Sequence, residues 1–461
     1  MLYYLVMATI VLKRLSKIFD RNSSPQDVDG HLVAQGQDYS INPKRLCKYA
    51  LEVVRVLQEN GFQAYLVGGC VRDLLLGLDP KDFDVATSAK PHEVKKLFRR
   101  SRIIGRRFQI VHVQFGREII EVTTFRSNAN EGDSQSTKKN QHLQQSANGL
   151  LTRDNMFGSM EEDASRRDLS INSLYYDPVE NTLHDFSDGL KDLADRNIRI
   201  IGDPATRYRE DPVRLLRVAR FTAKLGFHVD AKTLKPIAKM SESLCHVSAP
   251  RMFDETLKLF MGGQGLASFK LLDEYGLFAQ IVPQASRLIE QGHPVAREII
   301  EQAMTNTDLR IRSKKRVTPA FIYAALLWPA VQKVALDYQK QGHSPSLSLN
   351  KAASEVIGNQ IPITAIPKRF TIAMREIWSL QLMLPKRGGN RAKRLVEHPR
   401  FRAAYDFTLL REQAGENLDG LGDWWTTYQE ASEDKQQEMV KVLASDRPKK
   451  RRSHRRHRRD R

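Results

Sequence analysis

Cysteine is scarce in this 461-residue chain: Cys47, Cys70 and Cys245 are the only three, far apart, with neither CxxC spacing nor a Cys/His ligand pattern. That excludes a disulfide framework and an ordinary zinc site, and it fits a reducing, cytoplasmic setting. A long hydrophobic run is also missing. The one continuous apolar stretch, residues 1–12, is well short of the roughly 20 residues a membrane-spanning helix needs, and no basic residue precedes it, so no stable membrane insertion is expected. Met7 offers a second start besides Met1. No fixed-period repeat is present. Acidic residues are in deficit, 54 Asp and Glu against 73 Lys and Arg, for a net charge of +19. Such a surplus points to a polyanionic partner, nucleic acid first and an anionic membrane surface second.

What the chain does have is enough to fold. Apolar residues make up 41% and charged residues 28%, which rules out wholesale disorder. Residues 1–41 read as a leader, because Ser23 to Asp38 is polar and carries Pro25, Gly30 and Gly36. From Lys44 to Asn60, Leu46, Ala50, Val53, Val54 and Leu57 recur at three- and four-residue intervals, a helix stopped by Asn60-Gly61. Gln63 to Val67 is a short strand. Alternation in Ile110–Phe115 and Ile119–Phe125 around Gly116 reads as a hairpin. Residues 127–149, rich in Ser, Asn, Gln, Lys and Gly, read as a mobile loop. After Arg207 helical periods dominate. The expected architecture is α+β: a head with a small mixed β-sheet (42–190), an all-helical neck (191–305) and body (306–445), and a disordered basic tail (446–461). The last fourteen residues hold nine Lys or Arg against one Asp.

Chemistry is concentrated near the front. Leu66-Val67-Gly68-Gly69 runs from the strand into a helix, and two residues without Cβ let a polyphosphate approach main-chain amides at a helix start; a plain tight turn is the alternative. About a dozen residues on, Asp82-Phe83-Asp84 would place two carboxylates on one strand face, with Phe83 behind, where they can share Mg²⁺. An acidic pair alone is unspecific. A third carboxylate on the following strand, Glu121 ahead of Glu118, completes what metal-assisted nucleotidyl transfer requires.

With these in place the chain resembles the nucleotidyltransferase superfamily, and within it the bacterial poly(A) polymerase and CCA-adding enzyme group. Four ordered motifs carry the likeness: Val67-Gly68-Gly69-Cys70-Val71-Arg72-Asp73, Lys81-Asp82-Phe83-Asp84-Val85-Ala86-Thr87, Arg166-Arg167-Asp168-Leu169-Ser170-Ile171-Asn172-Ser173-Leu174, and Glu210-Asp211-Pro212-Val213-Arg214-Leu215-Leu216-Arg217-Val218-Ala219-Arg220-Phe221. It spans about residues 44 to 280 and, more loosely, the helical remainder. The resemblance implies that Asp82, Asp84 and Asp168 are catalytic, with Asp82, Asp84 and Glu121 at two Mg²⁺ ions for which Mn²⁺ can substitute. Whether Glu121, Glu118 or Asp168 completes the metal set stays open.

Arg72, one turn into its helix, would pair with a triphosphate or serve as a structural arginine. Arg167 would contact the nucleotide, with Asp168 orienting it or supporting the metal centre; a salt-bridged surface run is the plainer alternative. Asp211-Pro212 has the form of a helix start. Beyond it Arg214 and Arg217 share a face, and with Asp211 they could read a base edge; by resemblance this helix selects the incoming nucleotide. His184-Asp185 lacks the partners of a phosphohydrolase metal site, and Trp424, Trp425 and Tyr428, at helix spacing, read as core.

The group divides into enzymes that build CCA on transfer RNA and enzymes that extend RNA 3′ ends with ATP alone. Ile104-Gly105-Arg106-Arg107-Phe108-Gln109-Ile110 resembles the second kind, as do Pro367-Lys368-Arg369-Phe370-Thr371, Arg375-Glu376-Ile377-Trp378 and the arginine-rich tail. The expectation is therefore template-independent polyadenylation by a monomer. ATP and RNA with a free 3′-hydroxyl would be its substrates, RNA-decay or RNA-chaperone proteins its helpers, and messenger processing and decay its outcome. A non-enzymatic RNA-binding protein is the contrasting reading, opposed by intact Asp82, Asp84 and Arg72; transfer to a small molecule fits the charge poorly. Arg106, Arg107, Lys449, Lys450, Arg451, Arg452, Arg455 and Arg456 are the expected RNA contacts. Deleting residues 448–461 should then weaken RNA binding without sequence preference and make the log–log salt dependence of binding shallower. Filter-binding titrations across salt concentrations check this, an unchanged slope excluding tail–phosphate contact.

Overall fold

A computed structural model describes residues 26–28, 31–36, 39, 41–105, 109–127, 143–145, 151–154 and 156–445. The loop residues 128–142 and 146–150, Arg106, Arg107 and the tail from 446 lie outside the described residues, as does the choice between Met1 and Met7. The chain divides into two compact units, residues 1–246 and 247–461. That division falls inside the expected neck.

The first unit is built on strands β1 (Gln26–Val28), β2 (His31–Gln35), β3 (Ala64–Val67), β4 (Asp84–Thr87), β5 (Ser101–Ile104), β6 (Ile110–Phe115), β7 (Glu118–Thr124), β8 (Leu143–Gln145), β9 (Leu151–Asp154), β10 (Leu174–Asp177), β11 (Thr182–Asp185), β12 (Asn197–Ile198) and β13 (His228–Val229). Nine of them form one mixed sheet in the order β1-β2-β11-β10-β3-β4-β7-β6-β5. Its helices are α1 (Lys48–Glu59), α2 (Gly69–Leu75), α3 (Pro91–Leu97), α4 (Met160–Ser165), α5 (Gly189–Ala194), α6 (Pro204–Glu210) and α7 (Val213–Leu225), followed by shorter turns.

The expected leader is partly structure. β2 pairs antiparallel with β11, Ala34 opposite Leu183, and Ala34 is buried. Three consecutive apolar residues, Leu32 to Ala34, suffice because the free edge of β11 supplies the hydrogen-bond partners that a polar, Gly-containing segment cannot supply for itself.

Helix α1 starts at Lys48, four residues later than the spacing from Lys44 placed it, with Pro43–Arg45 a separate short turn and Leu46 outside the helix. The rest agrees: Ala50, Val53, Val54 and Leu57 are buried, and the chain leaves through Asn60 and a left-handed Gly61. The β6–β7 hairpin also matches, with Val113 opposite Ile120. Its partner β4 runs parallel to β7, Val85 beside Val122 and Asp84 beside Glu121. Because strand side chains alternate, Val85, Val111, Val113, Ile120 and Val122 are buried on one face. Asp84, Glu121, His112 and Arg102 share the other. Near β3 and β10 that second face is covered by a core of Tyr65, Val67, Ala86, Phe125, Met160, Ala164 and Tyr175; over β7, β6 and β5 it is open.

The second unit is helical throughout its described residues. Its helix Pro319–Lys340 is long and apolar enough to cross a membrane by length and composition, and most of it is buried within the unit against Pro345–Gln360 and Lys368–Gln381. Trp378 is fully buried and donates its indole N–H to the Ala324 carbonyl. Trp425 and Tyr428 lie in a second core with Phe401 and Tyr405, and half-buried Trp424 stacks on Tyr428.

His184-Asp185 is structural, as its isolation implied. Buried Asp185 accepts from the amides of Ser187, Gly189 and Leu190 at 2.9–3.0 Å, capping α5, and His184 meets the His31 ring. Asp185→Ala leaves two buried amides and one half-buried amide unpaired and should cost about 2–3 kcal/mol in urea unfolding.

Candidate active site

The β3–α2 connection turns at Gly68, whose φ of 78° lies in the left-handed region that favours glycine. A Cβ there would stand 3.4 Å from Arg167 Nη1, so the side chain of Arg167 lies directly against the turn. Arg72 does not reach into the cleft as a free triphosphate ligand. It is 2% exposed, donates from Nε and Nη2 to Asp73 Oδ1 at 2.8 and 2.6 Å and from Nη1 to Asn172 Oδ1, and lies over the Phe221 ring. Asp73 also accepts from Lys224. The structural reading of Arg72 is therefore satisfied: it ties α2 to α7 beneath the glycine turn.

Asp84 opens β4 with Glu121 as its register neighbour, and His112 on β6 faces Glu121 in turn. His112 Nε2 is 3.3 Å from Glu121 Oε1 without forming an aligned hydrogen bond. Asp82 is not on the strand. It is exposed in the preceding loop, so it shares a cavity with Asp84 without being the alternating strand partner expected of an extended D-x-D. One cavity of about 580 Å³ is lined by Asp82, Asp84, Glu118 and Glu121 together with Lys81 and His112. Burial, Glu121 and Asp82 push the Asp84 carboxyl up to about 6, with Arg167 acting against them.

Among the described residues no group of three or more His, Cys, Asp or Glu is close enough to form a metal cage. An open pair of hard oxygen donors nevertheless fits Mg²⁺, which is commonly held by one or two carboxylates with substrate phosphates completing its shell. The crowding that raises Asp84 is what a bound cation would relieve. Asp82 and Asp84 are the residues that fit this role best; Glu121 lies beside Asp84, while Glu118 lies farther along β7, across from Phe115.

Asp168 belongs to a different network. It pairs with Arg217, which holds its carboxyl well below the usual range against the opposing effect of burial. The residues that orient Arg167 are ones the motifs did not reveal. Arg167 donates to Asp163 Oδ2 at 3.1 Å and to the Tyr175 hydroxyl at 3.0 Å, and that hydroxyl donates to Asp163 at 2.8 Å. Burial alone would lower the guanidinium's pKa, but these two partners outweigh it and raise it. The available signal was helical spacing: Asp163 and Arg167 are an i,i+4 pair.

Asp211 accepts from the Val213 amide, the capping contact expected at this helix start. Arg214 donates to Glu210 and to the Arg207 carbonyl, so Arg214 and Arg217 both also brace the fold. Around them Arg126, Arg166, Arg167 and Arg207 crowd together. Burial and neighbouring arginines push Arg166 down to about 9 and Arg207 to about 10. Asp163 and Glu210 answer part of this charge, and the lowered values of Arg166 and Arg207 mark an excess of positive charge here. The site thus sets paired carboxylates beside a cationic cluster, the complement of a nucleoside triphosphate carried with a metal ion.

The family model described as the poly A polymerase head domain matches residues 64–199, that for a probable RNA and SrmB-binding site of polymerase A matches 226–289, and that for the polymerase A arginine-rich C-terminus matches 341–460. Poly(A) polymerase I of Salmonella typhimurium is 44% identical over 422 residues, 90% of each chain. The chain belongs to the poly(A) polymerase family. By contrast, the CCA-adding enzyme of Lactobacillus helveticus is 37% identical over 222 residues, 48% of this chain and 52% of its own. The solved Bacillus stearothermophilus CCA-adding enzyme in complex with CTP aligns with a TM-score of 0.52 and 25% identity over 86% of this chain and 82% of its own. As a poly(A) polymerase family member the chain is a nucleotidyltransferase with the mixed-sheet head and helical remainder of that fold.

Asp168→Asn should destabilise the protein by about 2–3 kcal/mol at neutral pH, since it removes the charge from a largely buried pair. Because the folded carboxyl is depressed, its contribution is complete above the ordinary value of 3.8 and is lost as pH falls below it toward the depressed one. Urea midpoints of both proteins should therefore stay fully separated from pH 7 to about 4 and begin to close only below that, with part of the gap remaining at about pH 3.

Proposed function

We propose that this chain extends RNA 3′ ends with adenylate. The 3′-hydroxyl attacks the α-phosphorus of ATP, AMP joins the strand and pyrophosphate leaves, without a covalent enzyme intermediate. The observation that carries this reading is the placement of Asp82, Asp84 and Glu121 in one cavity, with Arg167 held against the neighbouring glycine turn. When bound, Mg²⁺ at Asp82 and Asp84 would supply Lewis-acid stabilisation of the attacking and leaving oxygens.

The chain's own groups do the rest. The open main chain at Gly68-Gly69 admits the phosphates, and Arg167, fixed by Asp163 and Tyr175, neutralises charge on them without reorganising. Arg72 acts from below by holding the turn in place. The helix bearing Arg214 and Arg217 is braced by Glu210 and Asp168, so the surface it offers the incoming base is preorganised. Adenine selection, a role in messenger processing and decay, and RNA-decay or RNA-chaperone partners belong to the same proposal, supported by the relatives' activity and by the match to an RNA and SrmB-binding segment.

Asp84→Asn keeps shape and removes one ligand charge, so AMP incorporation should fall about a hundredfold or more while RNA binding persists. Full activity in that variant would sink the assignment. With each NTP supplied separately, ATP should give long ladders on any RNA with a free 3′-hydroxyl and CTP little extension. Accurate rebuilding of C-C-A on a trimmed transfer RNA, followed by a stop, would move the protein to CCA addition.

A further inference from the structure

Beyond the catalytic carboxylates the open sheet face continues into a second cavity of about 450 Å³, lined by Arg99, Arg100, Arg102, His112, Gln114 and Ile119 among others. It shares His112 and Ile119 with the catalytic cavity. Pairing registers place Arg102 opposite His112, His112 opposite Glu121 and Glu121 beside Asp84, one row across four adjacent strands. At the usual strand spacing the row is about 14 Å long. From this geometry we propose that the open face of β5, β6 and β7 is a track for the RNA segment just upstream of its reacting 3′ end.

Three observations favour an RNA strand there. Beyond Glu121, at the catalytic end of the face, the charge is of one sign: no Asp or Glu lines the second cavity, and Arg99, Arg100 and Arg102 are exposed, with no ion pair or side-chain hydrogen bond among the described residues. Arg72, Arg214 and Arg217, in contrast, all have carboxylate partners. An ordinary solvated surface interleaves both signs. An apolar group also stands in the open among these cations: Ile119 is 44% exposed, a platform against which a base can pack while guanidinium groups take the phosphates and stack on neighbouring bases.

The third observation is directional. On the β3 side of Asp84 lie Val67, Gly68 and Arg167; on the β7 side lie Glu121, His112 and the arginines. In-line displacement requires the attacking hydroxyl and the leaving pyrophosphate on opposite sides of the α-phosphorus. With the triphosphate held by the glycine turn and Arg167, the strand bearing the nucleophile approaches from the β7 side, where the unpaired arginines are. This rests on the polyadenylation reading for the triphosphate's orientation.

The test is the full-length Arg100→Ala/Arg102→Ala protein assayed with a six-nucleotide oligoadenylate. KM for RNA should rise about tenfold, with kcat and KM for ATP within about twofold of the parent. Fluorescence anisotropy without ATP should show weaker binding of the same oligonucleotide, with a log–log salt slope shallower by about 1.4, the value for two lost single-strand phosphate contacts. Both arginines are exposed, so thermal unfolding should be unchanged. Arg55→Ala, at an exposed position of α1, should alter none of these values. Unchanged RNA KM and slope would overturn the proposal, and so would a rise confined to the KM for ATP, which would assign the cavity to the triphosphate. If the parent fails to polymerise ATP, the function falls; the anisotropy arm still decides whether the track binds RNA.

Discussion

Two carboxylates forced side by side are the constraint around which the first unit is organised. Parallel pairing of β4 with β7 puts Asp84 next to Glu121, and burial with like charge raises Asp84 to about 6. A chain keeps so unfavourable a pair only when something cationic answers it. Arg167 supplies part of the answer from across the glycine turn, and an open site for a hard metal ion can supply the rest. Placing that arginine in turn requires Asp163, Tyr175 and the left-handed Gly68, so a helix, a central strand and a turn share one electrostatic task.

Arginine serves this protein in two physically distinct ways. Arg72, Arg207, Arg214 and Arg217 each have an acidic partner; they join elements that the sequence places up to 151 residues apart when the Lys224–Asp73 contact beside Arg72 is included. Truncating such a group strands a buried acid, so its loss reads first as instability. Arg99, Arg100 and Arg102 sit on an open face with no acid in their cavity and cost little to expose. A motif cannot tell these classes apart, because residue type and spacing are alike in both.

Much of the head was legible in local pattern. Helix α1, strand β3 and the β6–β7 hairpin follow from apolar period and from stop signals at Asn60-Gly61 and Gly116. The β1–β2 segment was not, since three apolar residues between glycines have no strand signal until a neighbouring edge pairs with them. Asp82 likewise read as a strand residue although it lies in the loop before β4. Where the strand begins depends on which residues find partners on β3 and β7.

By itself the sequence determined the glycine turn, the acidic pair, the arginine-bearing helix after Pro212 and the surplus of positive charge, because each is a short-range matter of residue type, period or count. Only tertiary structure decided the assignments among chemically equivalent residues. It sent Asp168 to Arg217 and Asp163 to Arg167, set Glu121 rather than Glu118 beside Asp84, and buried Arg72 while leaving Arg102 open. The reason is that hydrogen bonding and desolvation act over a few ångströms. Which charges come that close is settled by strand register and helix packing between residues distant in the chain.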